Sequence, residues 1–231
     1  MKQKLKEKIE KRSTELLVVT ALLVFVGAGV TASNTILDSS NSGALVAEYR
    51  FDTGAGNTAY DTAGSNNGEL VNFDFDSDDG WVSGIRGKAL EFSGEGNNPD
   101  TSDTIVETDL DSDNFDNEIT ISWWGKITGS GEYINSGGLT NGFAFYTGSP
   151  RFIVTDTDGN FAFASGNGIE DGKWHHFVGV YDNSLSADQI KLYVDGNLVD
   201  EVDGPGNMQN WNKVVFGGDN GGNYRTVDGL L

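Results

Sequence analysis

Beyond residue 44 the chain alternates between apolar and polar positions. In Leu45–Phe51, Leu45, Ala47, Tyr49 and Phe51 are spaced two apart, with Glu48 and Arg50 between them. The same period returns in Ile119–Ile127, where Ile119, Ile121, Trp123 and Ile127 alternate with Thr120, Ser122 and Lys126, and again in Ile190–Val194. Successive side chains of a strand point to opposite faces, so each run predicts a strand with one face on a core. Asp-Gly pairs punctuate these runs at 79–80, 158–159, 171–172, 195–196 and 203–204. The pair at Asp195-Gly196 sits between Leu-Tyr-Val and Asn-Leu-Val, which predicts a hairpin closed by a primed turn. Phe152–Val154 and Phe161–Phe163 flank Asp158-Gly159 in the same manner. No amphipathic helix of about ten residues can be drawn past residue 33, so the pattern predicts an all-β sandwich or barrel.

The first 32 residues follow a different rule. Six of the 15 basic residues fall within Met1–Arg12, and Leu16–Ala32 carries no charge. A basic head followed by an apolar run with no amphipathic period predicts a hydrophobic helix that targets a membrane. Cleavage after Val30-Thr31-Ala32 would make it a signal peptide; without cleavage, residues 16–32 would be a single-pass anchor with the lysines inside. Both readings place the rest of the chain outside the membrane, secreted or at the cell surface. Residues 33–44 are small and polar and read as a linker.

Charge removes some functions. The chain carries a formal −20, and beyond residue 32 nine basic residues face 32 acidic ones. A nucleic acid would be repelled by such a surface, so binding through a basic field is excluded. Cysteine is absent, which excludes disulfides, thiolate metal sites and a cysteine nucleophile. An acidic exterior does attract cations.

Four segments, in order, resemble the LamG-like jelly-roll family of the concanavalin A-like lectin/glucanase superfamily. They are Tyr49–Gly56 with Ala59–Gly68, then Gly84–Gly94, then Ile119–Trp124 (Ile-Thr-Ile-Ser-Trp-Trp), and finally Gly172–Asp182 (containing Trp-His-His) followed by Lys191–Gly196 (Lys-Leu-Tyr-Val-Asp-Gly). The resemblance covers residues 45–231 and implies a jelly-roll sandwich of two antiparallel sheets. It also implies that the family's last strand begins near Thr226–Leu231, so that most of that strand is missing.

The resemblance implies a non-catalytic extracellular module that binds carbohydrate or glycoprotein, with a protein-binding adhesive module and a glycoside hydrolase remnant as alternatives. Calcium is the candidate cofactor. Asp61 and Asn66 match the loop that holds it in relatives, and Asp228 follows in register; oxygen donors suit that ion. Trp123 falls on the apolar face of its run and reads as core. Trp124 points the other way, and Trp124 and Tyr146 are the candidate sugar-stacking residues. Trp81, Trp211 and Tyr224 also lie near loops. His175 and His176 are adjacent on a strand and face opposite ways, so they cannot jointly chelate a metal; orienting their strand through hydrogen bonds is the expected role. The acidic runs Asp74–Gly80 and Asp109–Asp113 lack the glutamate that closes an EF-hand loop and read as solvated loops. Glu107 and Asp111, four residues apart and so on one strand face, would be the carboxylate pair of a hydrolase.

Overall fold

A computed structural model describes residues 23–26, 45–73, 80–92, 104–115, 117–136, 141–218 and 229–231. Among the described residues seventeen strands run in chain order. They are β1 (Leu23–Val26), β2 (Leu45–Tyr49), β3 (Thr58–Ala59), β4 (Gly68–Val71), β5 (Trp81–Ser83), β6 (Lys88–Phe92), β7 (Ile105–Thr108), β8 (Glu118–Ile127) and β9 (Glu132–Asn135). There follow β10 (Phe143–Tyr146), β11 (Arg151–Thr155), β12 (Phe161–Ser165), β13 (Trp174–Asp182), β14 (Ile190–Val194), β15 (Asn197–Val202), β16 (Val215–Phe216) and β17 (Gly229–Leu230). One short 3-10 helix, Ser112–Asn114, is the only helix among the described residues.

The strands form two antiparallel sheets. The first is ordered β15-β14-β13-β8-β17-β6-β5, with β1 on β8 and β2 on β1; the second is β12-β11-β10-β9-β16-β7-β4-β3. β8 carries the sequence pattern without a fault: every second residue, from Ile119 to Ile127, is buried. Its pairing with β13 runs from Trp174↔Lys126 to Asp182↔Glu118. Between the sheets Trp123 stacks on Phe177 at 4.5 Å and on Tyr133 at 5.5 Å, and meets the edge of Phe145 at 5.6 Å. Gly179 belongs to the same layer. A Cβ there would sit 2.5 Å from Phe152, so the aromatic rings take the space a side chain would need.

The Asp195-Gly196 turn joins β14 to β15 with φ of 50° and 77°, the primed geometry expected of that pair. The β11–β12 hairpin also forms, but its loop is longer than a two-residue turn. Asp156 Oδ1 accepts from the N–H groups of Asp158 (2.9 Å) and Asn160 (2.8 Å), and Gly159 takes φ 81°.

The lane beside β8, opposite β13, is filled by two separate segments. β17 pairs Gly229↔Ile127 and Leu230↔Lys126, while β1 pairs Val24↔Ser122 through Val26↔Thr120. Both run antiparallel to β8, so they lie in one direction, end to end. On their far side β17 pairs β6 and β1 pairs β2. Leu231 completes the β17 end by exchanging backbone hydrogen bonds with Leu90. The four described residues of the apolar leader are therefore strand, where the sequence pattern predicts helix. The remainder of residues 1–32 and all of 33–44 lie outside the described residues, and no described helix is long and apolar enough to cross a membrane.

Candidate functional site

Strand alternation decides which way each candidate points. Trp123 and Phe145 meet in the core, so their neighbours Trp124 and Tyr146 face outward, one from each sheet. The two candidate stacking residues thus occupy opposite outer faces and cannot share one ligand.

On the outer face of the first sheet, Trp124 is half-buried beneath His176. The two residues pair across β8 and β13, their rings 5.1 Å apart and tilted by 32°. The His176 Nε2 lies 2.8 Å from Ser122 Oγ. His175 turns the other way, its Nδ1 2.8 Å from Asp195 Oδ2 and its Nε2 3.1 Å from Asp171 Oδ1. Asp195 also accepts the His176 N–H, so the hairpin turn and the β13 entry are tied together. Burial pulls the His175 imidazole down, but the Asp195 and Asp171 carboxylates outweigh it and hold its pKa above the ordinary value. Burial pushes His176 below it. His175 therefore contributes stability that is fully present below pH of about 6.5 and lost as pH rises through its folded value. We expect the two imidazole resonances in an NMR titration to separate, His175 titrating above about 6.5 and His176 below. Coincident midpoints would show that the carboxylate clamp is absent in solution.

The outer face of the second sheet carries a different group. β10, β11 and β12 are successive antiparallel neighbours, with Tyr146↔Arg151, Arg151↔Ser165, Ile153↔Phe163 and Thr155↔Phe161. On β12 the small residues Ala162 and Ala164 face the core, and Phe161 and Phe163 face out. Phe161 is 55% exposed and Phe163 38%. The Arg151 guanidinium lies over the Phe163 ring at 5.2 Å and over the Tyr146 ring at 5.8 Å. Asp156 fixes the loop that launches β12, and Asp200 on β15 accepts the Ser165 N–H at 2.8 Å, which holds its other end. A strand anchored at both ends and one cation beside two rings make a half-exposed aromatic platform. Such a surface can stack on the C–H face of a sugar ring while donating hydrogen bonds to its oxygens.

Asp61 fits a structural part. Its Oδ1 accepts from the N–H groups of Glu48 (3.0 Å), Ala63 (2.9 Å) and Gly64 (3.0 Å); its Oδ2 accepts from Asn66 N (3.1 Å) and Asn66 Nδ2 (3.5 Å). Burial raises its pKa, but these N–H donors win and hold it below the ordinary carboxylate value. The Asn66 carbonyl accepts from the Tyr49 hydroxyl. A carboxylate whose lone pairs already meet five N–H groups does not fit a calcium ion, which takes bare oxygens. Among the described residues no cluster of three or more His, Asp or Glu could hold a metal. Asp228 lies outside the described residues, as do Tyr224 and the acidic run at residues 74–79.

The carboxylate pair separates as well. β7 ends at Thr108, and Asp111 instead caps the 3-10 helix by accepting from Asp113 N–H at 3.0 Å. Glu107 is bound to Lys213 at 2.9 Å. The two acids share no strand face, which removes the geometry expected of a hydrolase at this segment. Trp211 is buried against Phe115 and Phe143, and Trp81 donates from its Nε1 to the Gly56 carbonyl at 3.0 Å. Neither is free to meet a ligand.

No curated protein sequence matches the chain. Among solved structures it resembles the binding domain of Paraclostridial Mosquitocidal Protein 1, with 13% identity over 91% of this chain and 47% of that one, at a TM-score of 0.54. It also resembles the botulinum neurotoxin serotype D binding domain, with 18% identity over 69% of this chain and 40% of that one, at a TM-score of 0.51. The chain thus spans less than half the length of either toxin domain, and the likeness is one of fold. A family model described as the concanavalin A-like lectin/glucanases superfamily matches residues 99–231, more than half of the chain, and the chain belongs to that superfamily.

Proposed function

We propose that this chain is a non-catalytic, extracellular binding module for carbohydrate, free or on glycoprotein, and that the ligand lies on the outer face of the second sheet. One observation carries the reading: Phe161 and Phe163 are turned out to solvent beside Arg151 and Tyr146, on strands whose small residues face the core. Large apolar rings held outward cost solvation and contribute nothing to the core, so a contact partner accounts for them. Membership of a lectin-containing superfamily and the fold shared with toxin binding domains support a binding role. In this reading Asp61 anchors its loop, and the ligand is held without calcium.

Glycan-array binding of the full chain tests it. Phe163→Ala is expected to lower affinity by roughly tenfold or more, the scale of one lost ring–sugar contact of about 1–2 kcal/mol. Trp124→Ala, on the opposite face, is expected to bind as well as the native chain. Loss of binding in Trp124→Ala with retention in Phe163→Ala would move the site to the first sheet. Binding of protein targets with no glycan dependence would replace the lectin reading with the adhesive one.

A further inference from the structure

Arg151 is placed unlike the cations that brace this fold. Arg50 is engaged by Glu48, Lys173 by Asp171, Lys191 by Glu201 and Lys213 by Glu107. The Arg151 guanidinium makes neither an ion pair nor a hydrogen bond with any described residue and lies over the rings of Phe163 and Tyr146. It is half-buried, so its charge has lost part of its water without gaining a counter-charge.

The geometry suits one kind of guest. Aromatic faces cover a guanidinium above its plane, and its five N–H donors lie in that plane. A planar two-oxygen anion meets such a fork with two parallel hydrogen bonds. A neutral sugar would use the rings and leave the charge unanswered. We propose that Arg151, framed by Tyr146 and Phe163, receives the carboxylate of an acidic sugar, so that the module selects carboxylated over neutral glycans. This rests on the reading of the platform as the carbohydrate site.

The test uses the full chain and a pair of probes, a uronic-acid oligosaccharide and the same oligosaccharide with its carboxyls reduced to alcohols, titrated by calorimetry. The native chain is expected to bind the acidic probe at least about tenfold more tightly, the scale of one hydrogen bond to a charged group. Arg151→Gln should erase that preference, lowering the affinity for the acidic probe to that for the reduced one. Arg151→Lys, which keeps the charge but not the fork, should keep part of it. Phe163→Ala should weaken both probes together. Equal affinity of the native chain for the two probes, or a preference that survives Arg151→Gln, overturns the inference and leaves the platform as a neutral-sugar site. Failure of both probes to bind, with a thermal transition like that of the unliganded native chain, overturns the platform reading and this inference with it. Binding of an acidic peptide in place of either sugar assigns Arg151 to a protein partner and also overturns it.

Discussion

Trp123→Ala is expected to destabilise the fold by about 3–5 kcal/mol, the range for removing a large aromatic from a packed core. Trp123 is fully buried and stacks between Phe177 at 4.5 Å and Tyr133 at 5.5 Å, bridging the two sheets at their centre. Its loss leaves a cavity between rings fixed on three different strands, which cannot collapse without bending a sheet. Its indole N–H is buried with no acceptor among the described residues. Trp123→Phe is therefore expected to cost well under half as much, because the lost area is offset by removal of an unsatisfied donor. Trp124→Ala, one residue on, removes only a half-buried contact with His176 and is expected to cost about 1 kcal/mol. Urea unfolding of the three variants checks the order. Equal losses at 123 and 124 would contradict the in–out alternation of β8.

The second large effect concerns the lane beside β8. Leu23–Val26 pairs with β8 on one side and β2 on the other, so its removal leaves both strands with unpaired backbone groups. A chain beginning at Ser33 is expected to melt roughly 5–10 °C below the full chain in the same mild detergent. That corresponds to a few backbone hydrogen bonds at about 1 kcal/mol each, with about 2–4 °C per kcal/mol for a chain of this size. Phe25→Pro, which removes a ladder donor from the middle of β1 without shortening the chain, should reproduce much of the loss. An unchanged transition in both would show that the leader is no part of the folded sandwich.

How much of this could be read beforehand differs from element to element. β8, β13 and the Asp195-Gly196 turn were legible because period-two burial and positive-φ turns are local rules, set by residues within a few positions of one another. The same locality placed Trp123 inside and Trp124 outside. In the sequence Asp61 reads as a calcium ligand, although an aspartate before Thr-Ala-Gly-Ser-Asn has N–H donors of its own loop within reach. The platform was not legible. Tyr146, Arg151 and Phe163 lie on three strands, and only the register of β10, β11 and β12 stacks them. A signal was present in Phe161-Ala162-Phe163-Ala164, where alternation puts large and small residues on opposite faces, but the sequence does not say which face is core. In the fold the core side is the alanine side: Ala164 pairs with Phe152, whose ring also crowds Gly179. The β1 strand was hidden for another reason. An apolar run of 17 residues, Leu16–Ala32, has no period of two to mark the four that pair. Glu107 and Asp111 misled because spacing along the chain equals spacing on a face only while the strand lasts, and β7 ends at Thr108.

In the proposed function the ligand lies on the outer face of the second sheet. Amide hydrogen exchange of the full chain, with and without a glycan that it binds, tests this directly. The expected result is added protection in Phe143–Tyr146, Arg151–Thr155 and Phe161–Ser165, with Glu118–Ile127 and Trp174–Asp182 unchanged. Protection confined to the Trp124–His176 face, with none on β10 to β12, would contradict it.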